Sequence, residues 1–128
     1  MYTHDEILAM SEDELNHAIA KIKYGEGKLT DCGDFLFYDT GGGKAMPLPV
    51  WTRDIAAAWG LVEDILSVGG EITLSSETRS DNKRWGIVIF EFRNDGIGTG
   101  YTISNFAAAP IISLAISRAW LMWKEGRE

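Results

Sequence analysis

Apolar residues recur at helical spacing in three segments of this chain. The first helix is predicted over residues 12–24, where Ser11 and Glu14 form the sequence signature of a capping box. Thr3 and Glu6 form a second such signature, which predicts a short turn of helix upstream. The apolar face of the first helix, at i, i+3, i+4 and i+7 spacing, consists of Leu15, Ala18, Ile19 and Ile22.

Two further helices are predicted downstream. One covers residues 53–67, with Thr52 as its N-cap and Gly69 and Gly70 at its end. The other begins near Pro110, because proline suits the first turn of a helix. The apolar face of the helix over residues 53–67 consists of Ile55, Ala58, Trp59, Val62, Ile65 and Leu66.

Strand-like segments lie between these helices, at residues 34–39, 72–75, 84–92 and 101–106. Residues 84–92 are apolar on both faces of the strand, so we expect this strand to be central and covered on both sides. Residues 40–49 are rich in Gly and Pro and predict a loop. The order of elements predicts one α+β domain over residues 1–128. Its architecture is a three-layer α/β/α sandwich, in which a mainly antiparallel sheet of about four strands carries helices on both faces.

Composition narrows the class of protein. The 128 residues include 12 Lys and Arg against 19 Asp and Glu, and the formal net charge of −7 argues against non-specific nucleic-acid binding. A single cysteine, Cys32, excludes an internal disulfide and indicates a reducing, cytoplasmic location. Residues 106–123 are apolar but contain Arg118 and Pro110, so a buried helix is expected there rather than a membrane span.

Catalytic and metal-binding sets are missing from the sequence pattern. One cysteine and two histidines, His4 and His17, do not make a zinc ligand set, so we expect no catalytic residues, no metal and no cofactor. The run Gly41–Lys44 departs from the phosphate-binding loop signature, because Lys44 is followed by Ala45 instead of Ser or Thr. It is interpreted as a flexible loop, or as a loop in which Lys44 closes over an anion.

Candidate ligand-binding residues occur in two further places. At the start of the helix over residues 53–67, the candidates are Trp51, Thr52, Arg53 and Asp54, where an indole beside free helix N–H groups can stack on a ring. The alternative is that Trp51 packs onto Ala56 as a hydrophobic staple. On the hairpin, Arg84 and Arg93 belong to residues 79–93, which carry a net charge of +2. This hairpin either binds an anion or is an edge kept soluble by its charges.

Two segments are candidates for protein interfaces. Trp120 and Trp123 are interpreted as a partly exposed aromatic edge that makes an oligomer contact. The acidic residues Glu12, Asp13 and Glu14 belong to residues 1–20, which carry a net charge of −5. An acidic surface of this kind can imitate nucleic acid.

One segment resembles a known family. Residues 47–59, PLPVWTRDIAAAW, followed by Val62 and Glu63, resemble the signature of the phage ABA sandwich domain family: a proline, an aromatic residue, Ser or Thr, Asp, and small residues ending in Trp. The N-terminal acidic helix and the segment APIISLAISRA resemble the other blocks of that family. The chain departs from it in having Val50 and Trp51 where an aromatic residue and Ser are common, and Ser113 or Ser117 where a Cys is often found.

The resemblance implies a phage or prophage protein with helices on both faces of a sheet, located in the host cytoplasm. We therefore expect a non-enzymatic accessory protein, acting by binding and as a homo-oligomer. Its expected role is counter-defence, by sequestering a host protein or a small anionic, nucleotide-like signal. The alternatives are an acidic nucleic-acid mimic that inhibits a host defence or regulatory complex, and a small hydrolase.

Overall fold

The computed structural model describes residues 2–31, 36–42, 45–79, 82–94, 99–109 and 111–126, with the backbone alone for much of the last two strands. In these ranges the chain is α+β. The helices are α1 (His4–Ala9), α2 (Glu12–Tyr24), α3 (Ile55–Ser67) and α4 (Ile112–Gly126). The strands are β1 (Lys28–Asp31), β2 (Leu36–Asp39), β3 (Ala45–Leu48), β4 (Glu71–Arg79), β5 (Asn82–Asn94) and β6 (Thr99–Ala109).

Both capping boxes form as predicted. Ser11 Oγ accepts the backbone N–H of Glu14 at 3.2 Å, and Glu14 Oε1 accepts the backbone N–H of Ser11 at 3.4 Å. Thr3 and Glu6 make the same pair of bonds at the start of α1. The bounds predicted for α2 are therefore confirmed, because local capping and the apolar face agree.

The N-cap of α3 differs from the prediction. Asp54 caps this helix, and its Oδ1 accepts the backbone N–H groups of Ala56 at 3.0 Å and Ala57 at 3.4 Å. Thr52 instead lies in a turn that precedes the helix, in which Asp54 N donates to Val50 O at 2.8 Å. The prediction of Thr52 as the cap was wrong, because the hydroxyl of Thr52 is engaged elsewhere in the core.

The strands form two antiparallel sheets of three strands each, β1-β2-β3 and β4-β5-β6. The sequence predicted one sheet of about four strands, and it predicted a loop at residues 40–49, where β3 is found. Pro47 concealed this strand, since proline has no N–H to donate. It is tolerated because β3 is an edge strand, paired with β2 alone in its sheet.

The core lies around α4, which packs against the helices α1, α2 and α3 and against the strands β5 and β6. The inner face of the second sheet is formed by register-paired residues: Leu74 lies opposite Ile87, and Ile72 lies opposite Ile89. Ile87 and Ile89 are fully buried. The side chains of Val88 and Phe90, on which the expectation of two covered faces depends, lie outside the described part of the chain.

Two predictions about tryptophans were wrong. Trp120 and Trp123 were expected at a partly exposed edge, but each is only 1% exposed, because α4 is covered by neighbouring elements on several sides. Trp59 was predicted on the apolar face of its helix, which faces the core, but it is 45% exposed. The face that α3 buries consists of Ala58, Leu61, Val62 and Ile65, and this leaves Ile55, Trp59 and Leu66 outside it.

None of the helices in the described ranges has both the length and the apolar character that a bilayer span requires.

Candidate functional site

Trp51 and Thr52, two of the predicted ligand contacts, are part of the interior. Trp51 is 3% exposed and Thr52 is fully buried. Asn16 Nδ2 donates to Thr52 Oγ1 at 3.0 Å, and Ser113 Oγ donates to the carbonyl of Thr52 at 2.8 Å. These bonds tie α2 and α4 to the turn before α3, so both residues have a structural role and offer no surface to a ligand. The alternative staple assumed Thr52 as the N-cap; with Asp54 as the N-cap, the position before the cap belongs to Arg53 and no longer to Trp51.

The structure brings together Arg53 and Glu12, which the sequence placed in two different candidate sets. Arg53 Nε lies 3.4 Å from Glu12 Oε1, across 41 positions of sequence. Glu14 is occupied by its capping box, and Asp13 is exposed. Of these three carboxylates, Glu12 alone is paired with a cation, whereas Asp13 and Glu14 keep their charges. The net negative charge of this surface is therefore one less than the three residues indicate, which weakens the hypothesis of a nucleic-acid mimic.

The remaining basic candidates are not assembled into one site. Arg84 and Arg93 both lie in β5, nine positions apart, which is about 30 Å along a strand. Their side chains lie outside the described part of the chain, and so does the whole of Lys44. Cys32 also lies outside it.

A different cleft joins basic and aromatic side chains where the last turns of α2, α3 and α4 meet. Its volume is about 340 Å³. We call it the lysine–tryptophan cleft. Its lining residues are Ile22, Lys23, Asp64, Ser67, Val68, Trp120, Trp123 and Lys124.

The two lysines of this cleft differ in their partners. Lys23 Nζ lies 2.8 Å from Asp64 Oδ2, in a partly buried ion pair. The other ion pairs among the described residues join Lys21 to Glu26 and Arg53 to Glu12, so Lys124 has no carboxylate partner within this part of the chain.

Both ammonium groups lie over indole rings. Lys124 Nζ is 5.7 Å from the ring centre of Trp120 and 5.2 Å from that of Trp123. Lys23 Nζ is 5.5 Å from the ring centre of Trp120. At these distances the negative face of an indole attracts a cation, so the two rings hold the ammonium groups at the cleft without neutralising their charge.

Local sequence explains how the cleft forms. Trp120, Trp123 and Lys124 share one side of α4 because they are three and four positions apart. At the end of α3, Gly69 has a φ of +85°, and the N–H groups of Gly69 and Gly70 donate to the carbonyls of Leu66 and Ile65. The carbonyls of Ile65 and Leu66 at the end of α3 are thereby occupied.

Sequence reasoning noticed only half of this site. The helical spacing of Trp120, Trp123 and Lys124 can be seen in the sequence, but there it predicts a partly exposed aromatic edge and not a cleft. Lys23 and Asp64 were missed, since 41 residues separate them and no local pattern links them. The signal that the sequence contains is the pair of tryptophans, three positions apart, next to a lysine near the end of the last helix.

A smaller cavity of about 190 Å³ lies near the start of the chain. Its charged groups are already engaged: Lys21 Nζ lies 2.9 Å from Glu26 Oε1, a contact that raises the pKa of Lys21, and Glu14 belongs to a capping box. Within the described ranges, no three His, Cys, Asp or Glu side chains gather as a metal site requires. The lysine–tryptophan cleft is therefore the stronger candidate.

Comparison of this chain with family models, with curated proteins and with solved structures finds no match.

Proposed function

We propose that this protein acts by binding, and that it captures a small anion in the lysine–tryptophan cleft. The observation that carries the proposal is Lys124, whose ammonium group lies over two buried indoles with no carboxylate partner among the described residues. A cation held in place at the mouth of a cavity needs little reorganisation to receive an anion. The volume of about 340 Å³ is at the lower end for small-molecule sites.

The lining of the cleft favours binding over catalysis. Ser67 is its one hydroxyl group, and Ser67 Oγ donates to the carbonyl of Asp64 at 2.8 Å, as a capping side chain does. No histidine or cysteine is among the eight lining residues, so the cleft does not supply a nucleophile with an adjacent base. This supports the expectation of a non-enzymatic protein over that of a small hydrolase.

The resemblance to phage ABA sandwich proteins extends the proposal to a biological role. In that role the protein is a phage accessory factor in the host cytoplasm that sequesters a small, nucleotide-like signal. The three-layer arrangement and the homo-oligomer belong to the same proposal. With Trp120 and Trp123 buried, the contact surface of an oligomer must lie elsewhere, and the exposed side of α3 around Trp59 is available for it.

Isothermal titration of the purified protein with inorganic phosphate, acetate, AMP and cyclic AMP tests the proposal. We expect at least one anion to bind, and we expect Lys124→Gln to weaken that binding about tenfold or more, as the loss of a charged partner does. Lys28→Gln is the matched control, because Lys28 is an exposed lysine on β1, away from the cleft. The proposal fails if neither these four anions nor an aryl carboxylate such as indole-3-acetate binds, or if Lys124→Gln and Lys28→Gln bind equally well.

A further inference from the structure

We infer that the ligand of the lysine–tryptophan cleft is a monoanion joined to a compact apolar or aromatic group, an inference that rests on the proposed function. Two kinds of small molecule share this chemistry. One is an aryl carboxylic acid, and the other is a phosphodiester such as a cyclic mononucleotide. Three properties of the cleft carry this inference: its charge, its apolar surface and its size.

The charge of the cleft matches a single negative charge. Lys23 and Lys124 contribute +2 and Asp64 contributes −1, which leaves a formal charge of +1 among the lining residues. Lys23 is already bound to Asp64 at 2.8 Å, so one anion neutralises Lys124. A dianion, such as a phosphate monoester, places its second charge close to the carboxylate of Asp64, and like charges in a partly buried site repel.

Apolar side chains flank the charged groups. Ile22 on α2 is 38% exposed and Val68, directly after α3, is 54% exposed, although both line the cleft. A ligand that carries an apolar group removes these two side chains from water, which a bare anion cannot do. The side chains of Ile22 and Val68 therefore favour a ligand in which an apolar group is attached to the anionic group.

The volume of the cleft limits the size of the apolar group that it can enclose. The cleft is partly open to solvent and has a volume of about 340 Å³. One fused ring system with its acidic group fits within that space. A dinucleotide or a peptide strand would extend beyond the cleft into solvent.

Four probes separate these possibilities by titration calorimetry: acetate, indole-3-acetate, cyclic AMP and AMP. We expect indole-3-acetate or cyclic AMP to bind about tenfold or more tightly than acetate, since a few apolar contacts suffice for that ratio. We expect AMP, a dianion, to bind more weakly than cyclic AMP. Which of the two monoanions binds better identifies the head group, carboxylate or phosphodiester.

Two variants test the stated causes. The double variant Ile22→Ser, Val68→Ser should reduce the advantage of indole-3-acetate or cyclic AMP over acetate. Ile55→Ser is its control, because Ile55 is similarly exposed but does not line the cleft. Asp64→Asn removes the repulsive carboxylate and raises the formal charge to +2, so AMP should gain affinity relative to cyclic AMP.

The outcomes distinguish the inference from the proposed function. The inference is wrong, and the proposed function stands, if anions bind in a Lys124-dependent way but indole-3-acetate and cyclic AMP bind no more tightly than acetate. The same conclusion follows if AMP and cyclic AMP bind with equal affinity and Asp64→Asn leaves the ratio of their affinities unchanged. If neither these four probes nor inorganic phosphate binds, or if binding survives Lys124→Gln, both are wrong.

Discussion

Asn16→Ala removes the side chain that ties α2 to the turn before α3. Asn16 is fully buried, its Nδ2 donates to Thr52 Oγ1 at 3.0 Å, and its Oδ1 accepts the backbone N–H of Thr52 at 3.4 Å. The variant loses both bonds. It also leaves a buried N–H and a buried hydroxyl of Thr52 without these partners.

The magnitude follows from these contacts. Each hydrogen bond contributes about 1 kcal/mol to the free energy of unfolding, and each buried polar group left unpaired costs about 1–3 kcal/mol, with some relaxation expected. We expect Asn16→Ala to lower the free energy of unfolding by about 2–4 kcal/mol. With a urea m-value of about 2 kcal/mol/M, the unfolding midpoint falls by about 1–2 M.

Urea unfolding followed by tryptophan fluorescence and by circular dichroism measures this change. The control is Asp13→Asn, an exposed position on the same helix, which should stay within about 0.5 kcal/mol of the unaltered protein. A double-mutant cycle with Thr52→Val should give a coupling energy of about 0.5–3 kcal/mol. A loss below about 1 kcal/mol in Asn16→Ala, or additive effects in the cycle, would show that this network does not hold the helices together.

Three further predictions concern stability. In Gly27→Ala the new Cβ lies 2.8 Å from the buried ring of Tyr38, so unfolding by urea should show a loss of about 1–3 kcal/mol, whereas Gly42→Ala, which meets nothing within 4 Å, should be nearly neutral. Trp123→Ala should lower the free energy of unfolding by about 3–5 kcal/mol and Trp59→Ala by about 1 kcal/mol, and equal losses would contradict the burial described above. Burial raises the pKa of Tyr38, so the folded protein holds the phenol proton more tightly than the unfolded chain. The resulting stabilisation is complete below about pH 10 and is lost as the pH rises through the raised pKa of the folded state. When the free energy of unfolding is measured by urea at a series of alkaline pH values, Tyr38→Phe should therefore lose less stability with rising pH than the unaltered protein does.

The elements that could be predicted from sequence are those decided by neighbouring residues. The capping box of Ser11 and Glu14 and the apolar face that follows it place α2 at its observed bounds, because every contact involved spans four residues or fewer. The start of α3 could not be decided in this way. Thr52 and Asp54 are both good caps, and the choice depends on Asn16, which lies 36 positions away and binds the hydroxyl of Thr52.

Whether each tryptophan is buried depends on how the helices pack together, and the spacing of apolar residues within one helix does not determine this. Trp59 belongs to the apolar pattern of α3, yet the core contacts the side of the helix next to it. Trp120 lies near the end of α4, where exposure is common, yet it is only 1% exposed and Lys23 of α2 lies over its ring. The candidate cleft depends on the same packing, because Lys23 meets Asp64 and Trp120 only once the three helices are assembled.

The position of α4 at the centre of the fold has a consequence for the order of events during synthesis. Of the described elements, α4 leaves the ribosome last, and yet it packs against α1, α2, α3, β5 and β6. The earlier helices and the second sheet are therefore made before the element that covers their apolar faces exists. Until α4 docks, those faces stay exposed to water and to other nascent chains, so the assembly of the core is completed late and is most open to aggregation just before that step.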